Sequence, residues 1–258
     1  MVSGRALHSG VFCEVRFHVD EGPVRFVRNG SSVAASLDNV TGTERCTTLS
    51  CGGESVALVE HLLAALHVRG WWRDLVIETS AAELPILDGS SAPWLLELDA
   101  LGPPPASPEP LRIAEVVGLE LNGSRLSVSP GEPSLYVEVD YDHPAIGVQS
   151  WQGDPERYPE ILAARTFGFL RDLEGLRRLG LATHATLENA IVYGVEGPLT
   201  PLRSVDEPVK HKALDLLGDM FLLGRPLHGS LCAVKGSHTS HVAFARRLQT
   251  YHPPLETP

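Results

Sequence analysis

His211 and Asp215 stand four residues apart in residues 209–223, whose apolar spacing predicts a long helix. On a helix the imidazole and the carboxylate leave one face a turn apart, which lets them grip a single metal ion. The same pair is more commonly a surface hydrogen bond or salt bridge, so spacing alone leaves both readings open. A third ligand must come from elsewhere. Val59-Glu60-His61-Leu62-Leu63-Ala64-Ala65-Leu66 echoes Val209-Lys210-His211-Lys212-Ala213-Leu214-Asp215-Leu216, and each predicted helix is followed by an apolar strand, at 75–79 and 230–235. The echo makes His61 the candidate third ligand. Two histidines and one carboxylate leave tetrahedral zinc an open position, as in catalytic rather than structural sites. Glu60, about 100° round the helix from His61, is placed to take a proton from water that the metal has acidified. Neither H-E-x-x-H nor its inverted form is present.

The other histidines divide unevenly. His238, in Lys235-Gly236-Ser237-His238, follows an apolar strand, where a functional loop and a solvated loop histidine are equal readings. His8, His143 and His184 read as turn or pocket residues, and His67, His228, His241 and His252 as structural or exposed. Asp219 lies a turn beyond Asp215; it reads as a helix-surface carboxylate or as a group that orients a catalytic histidine.

These residues need a framework, and the 258-residue length allows one large domain or two small ones. The clearest break is LGPPPASPEP at 101–110, where five prolines forbid a regular helix or central strand. Before it come the strand at 75–79, a turn-rich stretch at 83–91 and a short helix at 93–100. After it, strands are expected at 111–121, 125–129, 135–141 and 190–193, with helices at 155–165 and 171–179. The tail from Tyr251 reads as frayed. Mixed elements without βαβ alternation argue an α+β fold. Two domains follow: 1–103, carrying Glu60 and His61, and 111–258, carrying His211, Asp215 and His238. The formal charge of −11 makes nucleic acid a poor partner. The four cysteines form no C-x-x-C pair, and neither a signal peptide nor a membrane span is visible. A cytoplasmic monomer without stable membrane insertion is expected.

In nine ordered blocks the chain resembles the zinc-dependent UDP-3-O-acyl-N-acetylglucosamine deacetylases of lipid A biosynthesis. The blocks are LHSG (7–10), RCTTL (45–49), VEHLLAAL (59–66), ELPILDGSSAPW (83–94), HPAI (143–146), ARTFGFLRD (164–172), NAIV (189–192), DEPVKHKALDLLGD (206–219) and KGSH (235–238). The resemblance implies two α+β domains, each a sheet layered with helices, with the site at their interface. It implies Zn2+ on His61, His211 and Asp215, Glu60 as general base, and His238 as a charged acid held by Asp219. Thr166 would bond the oxyanion, with Lys212 beside the site. Lys235 would lie near the diphosphate of an acylated UDP-amino-sugar substrate, with Tyr141, Phe167 and Phe169 packing on it. Residues 171–197 would form an apolar passage for the acyl chain. Cys46 falls in a block that the resemblance places near the site; it reads as a buried small thiol in preference to a group that approaches zinc when metal is in excess.

Several positions depart from the family pattern. The strand expected ahead of LHSG is missing or cut short, Ala6 replaces a glycine, and Pro208 replaces an aromatic just before the zinc helix, where proline suits a helix start. A glycine-rich stretch before Asn189 is replaced by Ala182-Thr183-His184-Ala185-Thr186. Ser237 replaces a glycine and is expected to alter the His238 loop, because glycine reaches positive φ at little cost. Two other readings remain: a deacetylase of a different acylated amino sugar, and a non-catalytic sugar-nucleotide binding protein.

Overall fold

The computed structural model describes residues 1–251; His252 and the rest of the expected frayed tail lie outside the described residues. The first half runs β1 (Val2–Arg5), β2 (Phe12–Pro23), β3 (Arg25–Arg28), β4 (Ser31–Ala34), β5 (Val40–Gly42), β6 (Thr48–Cys51), β7 (Glu54–Ala57), α1 (Glu60–Arg69), β8 (Arg73–Thr79) and α2 (Ala92–Ala100). After the proline segment come β9 (Leu111–Arg112), β10 (Val117–Leu121), β11 (Ser124–Ser129), β12 (Ser134–Tyr141), β13 (Gly147–Gly153), β14 (Phe167–Phe169), α3 (Leu170–Arg178), β15 (Ile191–Tyr193), α4 (Glu207–Phe221), β16 (Leu227–His228), β17 (Ser230–Val234) and α5 (His238–Tyr251). The architecture is α+β.

The echo between α1 and α4 extends to whole sheets. One five-stranded sheet has the order β1-β2-β8-β3-β4 and the other β10-β11-β17-β12-β13. In each, a strand that follows the helix takes the centre, directly for β8 and after the short β16 for β17: β8 lies antiparallel to β2 and parallel to β3, and β17 antiparallel to β11 and parallel to β12. Period-two alternation sets the inward faces. Cys13 and Val15 on β2, and Leu135, Val137 and Val139 on β12, are buried while their neighbours are not.

Helix α1 is buried all round from Glu60 to Leu66, packed against both α2 and α4. Each of Leu62, Leu63 and Leu66, fully buried, contributes roughly 1.5–3 kcal/mol of transfer free energy. Its end is set by Gly70 at φ 78, whose N–H caps Leu66 and His67. No helix among the described residues is long and apolar enough to cross a membrane.

Three expectations are corrected. Residues 155–165 form turns with a single 3-10 turn at Tyr158–Glu160, because Pro159 follows Pro155 too soon for an α-helix to propagate. The expected strand at 111–121 is two: β9 pairs with β16, while β10 pairs with β11. A strand does precede LHSG: β1 pairs antiparallel with β2 from Val2↔Val15 to Arg5↔Phe12.

Candidate metal and acid–base site

Helix α4 carries His211, Asp215 and Asp219 at four-residue steps, all on one buried face. Proline at its first turn fits the helix start, since that N–H has no intrahelical partner anyway. Glu207 anchors the same end: it accepts from Arg165 Nε at 2.9 Å and from the Arg203 backbone N–H at 2.6 Å. Burial opposes its ionisation, but the Arg165 hydrogen bonds outweigh that and its pKa is lowered. Helix α1 approaches so closely that a Cβ on Gly218 would lie 2.1 Å from the Glu60 carbonyl oxygen. Glycine at 218 therefore lets the start of α1 reach the ligand face of α4.

The three expected ligands converge. His211 Nε2 is 3.3 Å and His61 Nε2 3.9 Å from Asp215 Oδ1, and the two imidazoles cross edge to face with centroids 5.0 Å apart. Ligand atoms about 2.0–2.2 Å from tetrahedral zinc lie roughly 3.3–3.6 Å from one another. His211 Nδ1 donates to the Ala164 carbonyl at 3.1 Å, which turns the Nε2 lone pair toward Asp215. Burial lowers the pKa of both histidines, His61 to about 3, which favours the neutral form that a metal ligand requires. Asp215 Oδ1 is buried with no hydrogen-bond partner, while Oδ2 accepts from Lys212 Nζ at 2.6 Å. Burial opposes the charge on Asp215, but His211 and Lys212 outweigh it and hold the carboxyl well below its usual range. Lone pairs of His211 and Asp215 thus face each other around an unsatisfied buried oxygen, an arrangement that a cation relieves. The residues fit a metal.

The residues expected to handle protons lie alongside. Glu60 Oε1 is 3.9 Å from His238 Nε2. Burial raises the Glu60 carboxyl to about 7, against the opposing pull of His238. Burial opposes protonation of His238, but Asp219, bonded to its Nδ1 at 2.8 Å, outweighs that and lifts it to about 9. His238 is not on a loop; it opens α5. Ser237 and Ser240 form a reciprocal cap there: Ser240 Oγ accepts the Ser237 N–H at 2.9 Å, and Ser237 Oγ accepts the Ser240 N–H at 3.3 Å. Ser237 is absent from the residues with positive φ. The serine therefore helps to fix a helix start.

One cavity of about 330 Å³ joins these groups to the aromatic set; Glu60, His61, Thr166, His211, Lys212, Asp215 and His238 all line it. Thr166 is held at the wall by its N–H on the Gly89 carbonyl, 2.7 Å, and by its carbonyl on the Ile191 N–H, 2.8 Å. Tyr141, Phe167 and Phe169 form a ring cluster in the lining, with centroids 5.4–6.4 Å apart. Leu7, Leu58, Leu173, Leu176, Ala185 and Val192 make an apolar stretch of the same cavity. Lys235 is outside this lining, at φ 55 beyond β17 with its Nζ 2.6 Å from Asp140. Cys46 is buried, and burial, then the charge of Glu60, pushes its thiol up to about 12.

Two further residues join this group, Thr47 without any spacing signal and His241 with a weak one. Thr47, inside the RCTTL block, donates its N–H to Glu60 and its hydroxyl to Asp219. His241, read as structural or exposed, is 1% exposed with Nδ1 2.8 Å from Asp219 Oδ2. An i, i+3 pair of histidines at the start of an amphipathic helix was the available signal.

Residues 1–250 match the family model described as UDP-3-O-acyl N-acetylglycosamine deacetylase. A UDP-3-O-acyl-N-acetylglucosamine deacetylase of Solibacter usitatus is 38% identical over 95% of this chain and 87% of its own length. Those of Nitratidesulfovibrio vulgaris and Myxococcus xanthus are 38% and 37% identical, each over 96% of this chain and over 84% and 83% of their own lengths. With the model match spanning both sheets and the whole buried site, the chain belongs to the UDP-3-O-acyl-N-acetylglucosamine deacetylase family.

Proposed function

We propose that this chain hydrolyses the acetamide of a UDP-3-O-acyl-N-acetylglucosamine, releasing acetate and the free amine, with zinc held by His61, His211 and Asp215. The observation that carries the reading is the orphaned Asp215 Oδ1 between two neutral imidazoles, on the same cavity as Glu60 and His238. Bound zinc would polarise the acetamide carbonyl and acidify water. Glu60 takes the proton of the attacking water through Oε1, the oxygen that faces the cavity side of His238. Thr166 and the Lys212 ammonium supply hydrogen-bond donors to the developing oxyanion. Burial alone would lower Lys212, but Asp215 outweighs it and keeps the amine charged. As the C–N bond breaks, the Nε2 proton of His238 passes to the departing nitrogen.

The apolar stretch around Leu173 and Leu176 suits the acyl chain, and the ring cluster of Tyr141, Phe167 and Phe169 suits the sugar nucleotide. Lys235 serves the diphosphate once its pairing with Asp140 opens. We divide the chain into domains 1–103 and 111–258, on the matched strand orders of the two sheets. The free thiols of Cys13, Cys46, Cys51 and Cys232 suit a reducing, cytoplasmic setting.

The test pairs metal analysis with turnover of UDP-N-acetylglucosamine and its 3-O-acyl form, in the parent and in Glu60→Gln. Turnover confined to the acylated compound, abolished in Glu60→Gln with zinc retained, is the expected result. Turnover of other acetamides moves the substrate elsewhere, and zinc bound without any turnover makes the chain a binding protein.

A further inference from the structure

Thr47 touches both proton-handling groups, and neither family blocks nor spacing gave it a task. It lies between β5 and β6, wholly buried. Its backbone N–H donates to Glu60 Oε2 at 3.0 Å, and its hydroxyl donates to Asp219 Oδ1 at 2.5 Å. Asp219 Oδ2 already accepts from His238 Nδ1 and His241 Nδ1, both at 2.8 Å, so Oδ1 is the oxygen left for a third donor. His241 cannot swing away easily, because its ring packs where a Cβ on Gly236 would stand, 2.4 Å from Nε2. The carboxylate of Asp219 is therefore pinned at both oxygens.

The consequence reaches Glu60. With Oε2 committed to Thr47, only Oε1 faces His238 Nε2, across 3.9 Å. A carboxylate and an imidazolium buried this close attract strongly. If they closed to hydrogen-bond distance, the proton meant for the leaving amine would be shared with the base instead. The separation persists because each partner is tied from behind, and Thr47 is the residue common to both ties.

We infer that Thr47 is a positioning residue that braces Glu60 and Asp219–His238 apart, its N–H fixing the base and its hydroxyl fixing the carboxylate behind the acid. The brace rests on reading Glu60 as base and His238 as acid. Thr47 precedes α1 while Asp219, His238 and His241 come from α4 and α5, so it also ties the first half of the chain to the second.

Thr47→Val removes the hydroxyl at nearly constant shape and keeps the backbone N–H. In the zinc-loaded enzyme kcat on the 3-O-acyl substrate should fall on the order of tenfold or more, with KM and zinc content unchanged. Thr47→Ser, which restores the hydroxyl, should bring kcat back to within about threefold of the parent. In a His238→Gln background Thr47→Val should cost nothing further, since the group it positions is gone. A Thr47→Val enzyme with parental kcat overturns the inference. So does a Ser variant as slow as the Val one, a loss of zinc in step with kcat, or a full further loss in the His238→Gln background. If Glu60→Gln and His238→Gln themselves leave kcat intact, the acid–base reading has failed, a result separable from any failure of the brace.

Discussion

Helix α4 holds two clusters of the same composition a turn apart: His61, His211 and Asp215, and then Asp219, His238 and His241. Both are buried, and both combine two imidazoles with one carboxylate. They differ in what satisfies the carboxylate. Around Asp215 Oδ1 the nitrogens stand off at 3.3 and 3.9 Å and no donor reaches it. Around Asp219 both imidazole nitrogens close to 2.8 Å and Thr47 fills the other oxygen. Separations of 2.8 Å are hydrogen bonds, with protons between the atoms; the wider set has room for a cation instead. Residue type and spacing alone do not distinguish the candidate metal centre from the candidate proton relay. The donors supplied by neighbouring elements do.

The comparison is broken most directly by removing one member of each cluster. His211→Ala should leave less than about a tenth of the parental zinc after dialysis, because two remaining ligands cannot close the site. Asp219→Asn should keep zinc near the parental content while kcat falls on the order of 10²–10⁴-fold, the range of general acid–base contributions. Metal analysis beside steady-state kinetics reads both. Equal zinc loss in the two variants would show that the clusters form one unit.

The pH profile sharpens the same contrast. As the proposed base Glu60 must be ionised, so activity is expected to rise with pH through its pKa, held up to about 7 by burial and lowered from there by a bound cation. As the proposed acid His238 must be protonated, so activity is expected to fall as pH rises through about 9. A bell with its falling limb near 9 is expected for kcat/KM. Asp219→Asn withdraws the charge that offsets burial of His238, and the falling limb should move toward acid by more than about one unit. An unmoved limb would assign the acid to another group.

Much of the candidate metal cluster was legible as a spatial group because one helix carries two of its members at i and i+4, and a repeated octad supplies the third. The repeat was a sound guide, since it reflects two sheets with the same strand order around β8 and β17. The proton cluster was legible only in part. Asp219 lies on α4 in register with the ligands, but Thr47 and His241 reach it from a loop and from α5, and such long-range bonds leave no periodicity. Ser237 was legible only as a change from the usual glycine; its cap with Ser240 depends on a partner three residues on whose role the sequence does not mark. The helix expected at 155–165 failed more simply, with Pro155 and Pro159 overriding its apolar spacing.

The smallest effect separates the clusters by their supports. His238 takes its place from the first turn of α5, whose start is fixed by Ser237 and Ser240, whereas α1 begins after Val59 with no side-chain cap. Ser240→Ala removes one half of the reciprocal cap and should cost about 1 kcal/mol. For a chain of this size that lowers Tm by roughly 2–4 °C. Fraying the first turn loosens His238 against Asp219, so kcat should drop by a few-fold, as a thermal melt and a steady-state assay would read together. Zinc affinity should stay near parental, because α5 reaches this set only through His238 Nε2, 3.9 Å from Asp215 Oδ2 and beyond hydrogen-bond distance. A parallel loss of zinc affinity would mean that the cap supports both clusters, and that the boundary between metal and proton chemistry on α4 is less sharp than their hydrogen bonds imply.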